Sequence, residues 1–152
     1  MGLMEWTGVL GNVGEFLGSI AVIATLAYLA VQVRQNTEVL RDNAVSRVTE
    51  SFSRYRHLLA QEGASETFIN GTQSYEQLEP AEKVRFRAIV EEYFFAQTQL
   101  YEAESEGFAD PNPAGLADLL SNPGVESWWR ERRTIYPPQF IAMVDALVSD
   151  EA

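Results

Sequence analysis

The sequence predicts an all-α protein in which one N-terminal transmembrane helix continues into a cytosolic helical bundle. Three observations predict it: a long apolar run near the N-terminus, three-four spacing of apolar residues through the rest of the chain, and no stretch of convincing period-two alternation. From residue 13 to 33 the chain reads VGEFLGSIAVIATLAYLAVQV, and no side chain between Phe16 and Val31 is ionisable. At about 1.5 Å per residue, roughly 20 helical residues cover the ~30 Å hydrocarbon layer of a bilayer. The competing reading is a buried helix of a soluble protein, but polar residues normally interrupt such a helix periodically. A cleaved signal peptide fits less well. No lysine or arginine precedes the run, and Ala27-Tyr28-Leu29-Ala30 is a poor small-x-small cleavage tract.

Orientation follows from charge. The first 33 residues contain no lysine or arginine, whereas Arg34, Arg41, Arg47, Arg54 and Arg56 follow closely. By the positive-inside rule the N-terminus lies outside and the chain from Arg34 onward lies in the cytoplasm, which places the protein in a cell inner membrane. The expected organisation is a short extracytoplasmic tail (1–12), a transmembrane helix (13–33) and a cytosolic all-helical domain (34–152). Trp6 and Tyr28 fall toward the two interfaces, and Glu15 is close enough to the outer edge to reach headgroup water.

The apolar segment has a directional pattern. Gly11, Gly14, Gly18, Ala21 and Thr25 recur at alternating three- and four-residue steps, and Gln32 continues the register. Phe16, Ile20 and Val31 project from the other side. In lipid, helices associate by close backbone approach and interhelical hydrogen bonds, which a small-residue face and an embedded glutamine favour. Gly14-xxx-Gly18 alone is a weak motif; the longer stripe is the candidate interface for another membrane helix. The plainer alternative is an anchor whose small residues have no partner.

Beyond Arg34, the spacing of Val45, Val48, Phe52, Tyr55 and Leu59 predicts one buried stripe on a helix that Gly63 stops. Residues 64 to 79, with Asn70-Gly71, read as a connection containing one short helix. Pro80 suits the first turn of a second long helix, and Glu79 and Glu82 suit its N-terminal dipole. Val84, Ile89, Val90, Tyr93, Phe94, Leu100 and Tyr101 form that helix's apolar face, and Gly107 ends it. Asp110-Pro111-Asn112-Pro113 breaks the chain. A short helix follows from Ala114 to Leu120, a third from Pro123 to Ile135, and a last amphipathic helix after Pro137-Pro138 through Phe140, Ile141, Val144 and Leu147.

The composition narrows the chemistry. With 152 residues, the chain has room for one membrane segment and one compact unit. A formal net charge of -11 argues against nucleic acid as a partner. There is no cysteine and one histidine, His57, so thiolate metal sites and catalytic triads have almost no material. Glu91, Glu92, Glu102, Glu104 and Glu106 crowd the second long helix, yet the histidine that a carboxylate-bridged di-metal site needs at Glu-x-x-His spacing is absent, and they read as a solvated face. His57 reads as a surface or capping histidine that could tune stability near neutral pH. No phosphate-cradling loop, dinucleotide fingerprint, serine elbow or HExxH site is present, so no cofactor, metal or catalytic residue is expected.

Trp128-Trp129-Arg130-Glu131-Arg132-Arg133 is the most pointed feature of the soluble part. Adjacent tryptophans on a helix diverge by about 100°, so one can enter the core while the other covers an edge or a partner. Both completing the core is the preferred reading, and a membrane-facing or subunit-facing patch is the alternative. Arg130, Arg132 and Arg133 suit a membrane interface, a partner subunit, or ion pairs with the acidic second helix.

Two segments carry a resemblance. Gly14-Glu15-Phe16 through Ile20-Ala21-Val22-Ile23-Ala24-Thr25-Leu26 to Val31-Gln32-Val33-Arg34-Gln35-Asn36-Thr37, together with Leu119-Leu120-Ser121-Asn122-Pro123-Gly124 leading to Trp128-Trp129 and Arg132-Arg133, are similar to a group of uncharacterised small bacterial single-pass membrane proteins. The resemblance implies a shared anatomy of one membrane helix plus a helical domain, and it implies no activity.

The function expected from these features is assembly and not catalysis. The chain reads as a bitopic protein that joins a homo-oligomer, or a larger membrane complex as an accessory or scaffold subunit, with lipids and other membrane subunits as partners. A homo-oligomeric pore with Thr25 and Gln32 facing the axis is the rival from another class.

Overall fold

In a computed structural model, the backbone is described for residues 3–109 and 113–150, and the side chains for residues 14–109 and 113–149. Six α-helices account for most of it: α1 (Leu3–Leu59), α2 (Ala64–Gln73), α3 (Pro80–Ser105), α4 (Ala114–Leu120), α5 (Pro123–Arg132) and α6 (Pro138–Asp150). Tyr75–Gln77 and Arg133–Ile135 are single 3-10 turns. Among the described residues there is no strand, so the expected all-α class stands. The chain divides into two compact units, Met1–Asp42 and Asn43–Ala152.

The first unit is helix from Leu3 onward, and every side chain from Gly14 to Asp42 is exposed. Its most apolar 18-residue window has a mean hydropathy of 2.0 and buries none of its residues. A helix on the surface of a soluble fold hides an apolar stripe and shows a polar one. This one shows Phe16, Leu17, Ile20, Ile23 and Leu26 at its surface, spread over about half of its circumference. It is long and apolar enough to cross a membrane.

The second unit begins at Asn43, next to Ala44, the first buried residue among the described side chains of α1. The division between 42 and 43 follows packing, whereas the expected boundary at 33/34 is one of solvent. Along α1 the packed stripe is Ala44, Val48, Ser51, Phe52, Tyr55, Leu58 and Leu59. Val45 was expected in it but is 47% exposed; Ala44 and Ser51, seven residues apart and thus nearly in register, hold the centre of the face instead. The helix ends at Leu59, and Gly63 adopts φ 71 as the residue that starts α2.

Pro80 opens α3 as expected, with the Glu82 carboxylate accepting the Glu79 N–H at 3.0 Å. Gly107, at φ 74, closes it: its N–H donates to the Glu104 carbonyl and that of Phe108 to the Ala103 carbonyl, a Schellman ending. The buried face of α3 centres on Phe86, Ile89, Val90 and Phe94. Val84 is 67% exposed and is not part of it. Phe86 lies two residues further on, about 200° around the helix, and takes the inward position.

The Ser121-Asn122-Pro123-Gly124 junction shows why these residues stand together. The Asn122 side-chain amide donates to the carbonyls of Asp118 and Leu119, satisfying the end of α4, while its own carbonyl accepts the first N–H groups of α5 from Val125 and Glu126. Pro123 occupies the first turn, where its missing N–H costs nothing. Gly124 then touches α2: a Cβ there would lie 1.9 Å from the Gly71 carbonyl oxygen and 2.9 Å from that of Thr72. Gly71 is constrained in turn, since its own Cβ would fall 2.2 Å from the Phe86 ring.

This contact predicts a contrast between two glycines. Gly124→Ala should destabilise the second unit by roughly 3 kcal/mol or more, because rigid backbone must move. Gly115→Ala, whose Cβ would meet only the Tyr93 hydroxyl at 3.4 Å, should be neutral or stabilising by up to about 1 kcal/mol. Denaturant unfolding of the detergent-solubilised full chain, followed by tryptophan fluorescence, compares the two; equal midpoints would refute the close crossing.

Candidate functional site

In the apolar segment, the polar side chains are settled on their own helix. Ser19 Oγ donates to the Glu15 carbonyl at 2.8 Å and Thr25 Oγ1 to the Ala21 carbonyl at 2.8 Å. Gln32 Nε2 donates to the Tyr28 hydroxyl at 2.8 Å, one turn back. Hydroxyls that bond to the carbonyl four residues earlier hide their donor from the surroundings, which reduces the penalty of an apolar solvent. Of the stripe residues, Gly14, Gly18, Ala21, Thr25 and Gln32 are exposed, and Gly11 lies outside the described side chains. A Cβ added at Gly14 or Gly18 meets nothing within 4 Å, so neither glycine is demanded by the chain's own packing.

The structure places both tryptophans of the motif in the core, the preferred of the two readings, and not at a membrane or partner surface. Trp128 and Trp129 are 0% and 1% exposed, so neither ring covers an edge or is open to a partner. Phe94 of α3 explains how two rings 100° apart can both be inside. It packs against Trp128 at 5.0 Å between centroids and against Trp129 at 5.1 Å, stacked on the latter. Trp129 also meets Tyr136 and Phe140, and its Nε1 donates to Asp145 Oδ1 at 2.9 Å.

The arginines are engaged within the unit. Arg132 donates through Nε and one terminal nitrogen to Glu91 Oε1, at 3.2 and 3.0 Å, tying α5 to α3. Arg133 binds the other oxygen of Asp145 at 2.6 Å, so one carboxylate joins α6 to both Trp129 and the turn after α5. Arg130 pairs with Glu126 on its own helix and remains largely exposed. Of the readings open for these residues, ion pairing with the acidic second helix holds for Arg132.

Glu91 and Glu92 are therefore not part of a purely solvated face. Glu92 accepts from Arg54 at 2.7 Å, and Arg54 also reaches Glu50 and the buried Ser51 hydroxyl; hydrogen bonding to Glu92 holds the guanidinium above its usual range. Glu102 and Glu106 remain exposed. His57 sits in the shallow groove beside Glu50, Arg54 and Glu92 and is exposed. Among the described residues no three histidine, aspartate or glutamate side chains gather as metal ligands.

A second concavity, about 420 Å³, opens between α3, α4 and α6, lined mainly by Leu100, Tyr101, Leu116 and Met143, with Gln97 at its side. Gln97 donates to the Tyr93 hydroxyl at 2.8 Å. Glu104 and Ser105 also line the concavity, and Ser105 Oγ donates to the Glu102 carbonyl at 2.7 Å.

The sequence pointed to the tryptophans and arginines, and to the acidic second helix as one partner for the arginines, but not to Asp145 or Phe94. Glu91, Asp145 and Phe94 answer them from 41, 16 and 34 positions away. The last two separations belong to the folded topology and have no local signature.

No family model, no curated protein and no solved structure matches this chain. The chain's own physics therefore carries the functional reading.

Burial sets the pH response of the second unit. It pushes the Tyr55 hydroxyl up to about 12, helped by Tyr93, and pushes Tyr136 up as well, with Glu91 adding to it. Because the folded state favours the neutral phenols, their contribution is complete below an unfolded value of about 10 and is lost as pH rises. For Tyr55 the window runs from about 10 to about 12. Tyr55→Phe should flatten the fall of unfolding free energy across that window; an unchanged slope would refute the assignment. Tyr136 Oη is buried without a partner among the described residues, so Tyr136→Phe should leave stability at pH 7 within about 1 kcal/mol or raise it.

Arg132 and Arg130 provide a second comparison. Arg132→Ala should cost about 1 kcal/mol through the partly covered pair with Glu91, and a double-mutant cycle with Glu91→Gln should recover most of it as coupling. Arg130→Ala should cost under about 0.5 kcal/mol, as expected for an exposed pair within one helix.

Proposed function

We propose that this chain is a non-catalytic, single-pass membrane protein, anchored in a cell inner membrane with its N-terminus outside, that assembles through the small-residue face of its transmembrane helix. The product of assembly is a homo-oligomer or a larger membrane complex in which the chain is an accessory or scaffold subunit, and the chain from Arg34 onward lies in the cytoplasm. The observation that carries this reading is the apolar window that buries none of its residues. Each large apolar side chain left in water forgoes roughly 1.5–3 kcal/mol. Phe16, Leu17, Val22, Ile23, Leu26, Tyr28, Val31 and Val33 are each more than half exposed, so the total rivals the ~5–15 kcal/mol by which a whole domain is stable. Lipid removes that cost.

Helix association in lipid supports the second half of the reading. Small residues let backbones approach, and Gly14, Gly18 and Ala21 lie on one side of the segment. The intrahelical bond of Thr25 favours a dry, packed face over a water-lined axis at that position, because its hydroxyl needs no water to complete its donor bond; Gln32, with one N–H given to Tyr28, keeps a second N–H and its carbonyl for an interhelical hydrogen bond.

Two measurements test this. The full-length protein should remain in the membrane fraction through an alkaline wash and require detergent for release; a stable monomer in the aqueous fraction would overturn the membrane assignment. Gly14→Leu with Gly18→Ile should reduce the mass of the complex in mild detergent while leaving insertion unchanged, since both positions are open in the chain itself. A complex of unaltered mass would remove the small-residue face as the interface, and ion flux through liposomes holding the pure protein would favour the pore.

A further inference from the structure

We draw no further inference here: the strongest candidate, the open apolar cavity between α3, α4 and α6 lined by Leu100, Tyr101, Leu116 and Met143, is an unpartnered apolar face, and nothing in the structure shows what covers it.

Discussion

Apolar surface that a chain does not bury against itself must find another solvent, and in this molecule that demand falls on one segment. From Gly14 to Asp42 no side chain is buried. The helix there meets its backbone requirements alone, since each interior N–H bonds to the carbonyl four residues back. Its hydroxyls follow the same rule, with Ser19, Thr25 and Thr37 each donating to a carbonyl one turn earlier. What is left unsolved is side-chain surface, and a hydrocarbon layer suits it better than water or a polar protein face.

The second unit solves the ordinary problem of a soluble fold by ordinary means. Its core is dominated by rings: Tyr75, Phe86, Phe94, Trp128, Trp129, Tyr136 and Phe140 are all buried. Phe94 occupies the position between the paired tryptophans; Trp129 Nε1 is met at the edge by Asp145, whereas Trp128 Nε1 and Tyr136 Oη are buried without a partner among the described residues. Ion pairs of Arg132 with Glu91 and Arg87 with Glu131 then bracket α5 against α3. These pairs are only partly shielded, so their main effect is to fix which faces meet.

Element positions were legible in the sequence because punctuation and periodicity are local. Pro80, Gly107, Pro123 and Pro138 mark helix ends within a residue or two, and three-four spacing located α3 and α6. Faces were less legible. Val45 and Val84 are apolar yet exposed, while Ser51 is fully buried, since side-chain direction depends on which neighbour packs where. The tryptophan pair left two readings open for the same reason: two rings on divergent faces are both buried only if both flanks of the helix are packed, and α5 is packed by α2 and by α4. The contact of Gly71 with Gly124 joins residues 53 positions apart and announces itself only as two glycines in helices that would otherwise prefer alanine.

The internal pairing of Thr25 and Gln32 has a geometric consequence. Within lipid, a helix whose hydroxyl donors are already bonded to its own carbonyls has its depth set by what stands at the two ends, Glu15 on one side and Arg34 on the other. Along the described stretch between them, the side bearing Gly14 and Gly18 is then the feature that breaks the rotational symmetry, by being hollow where every other side is filled.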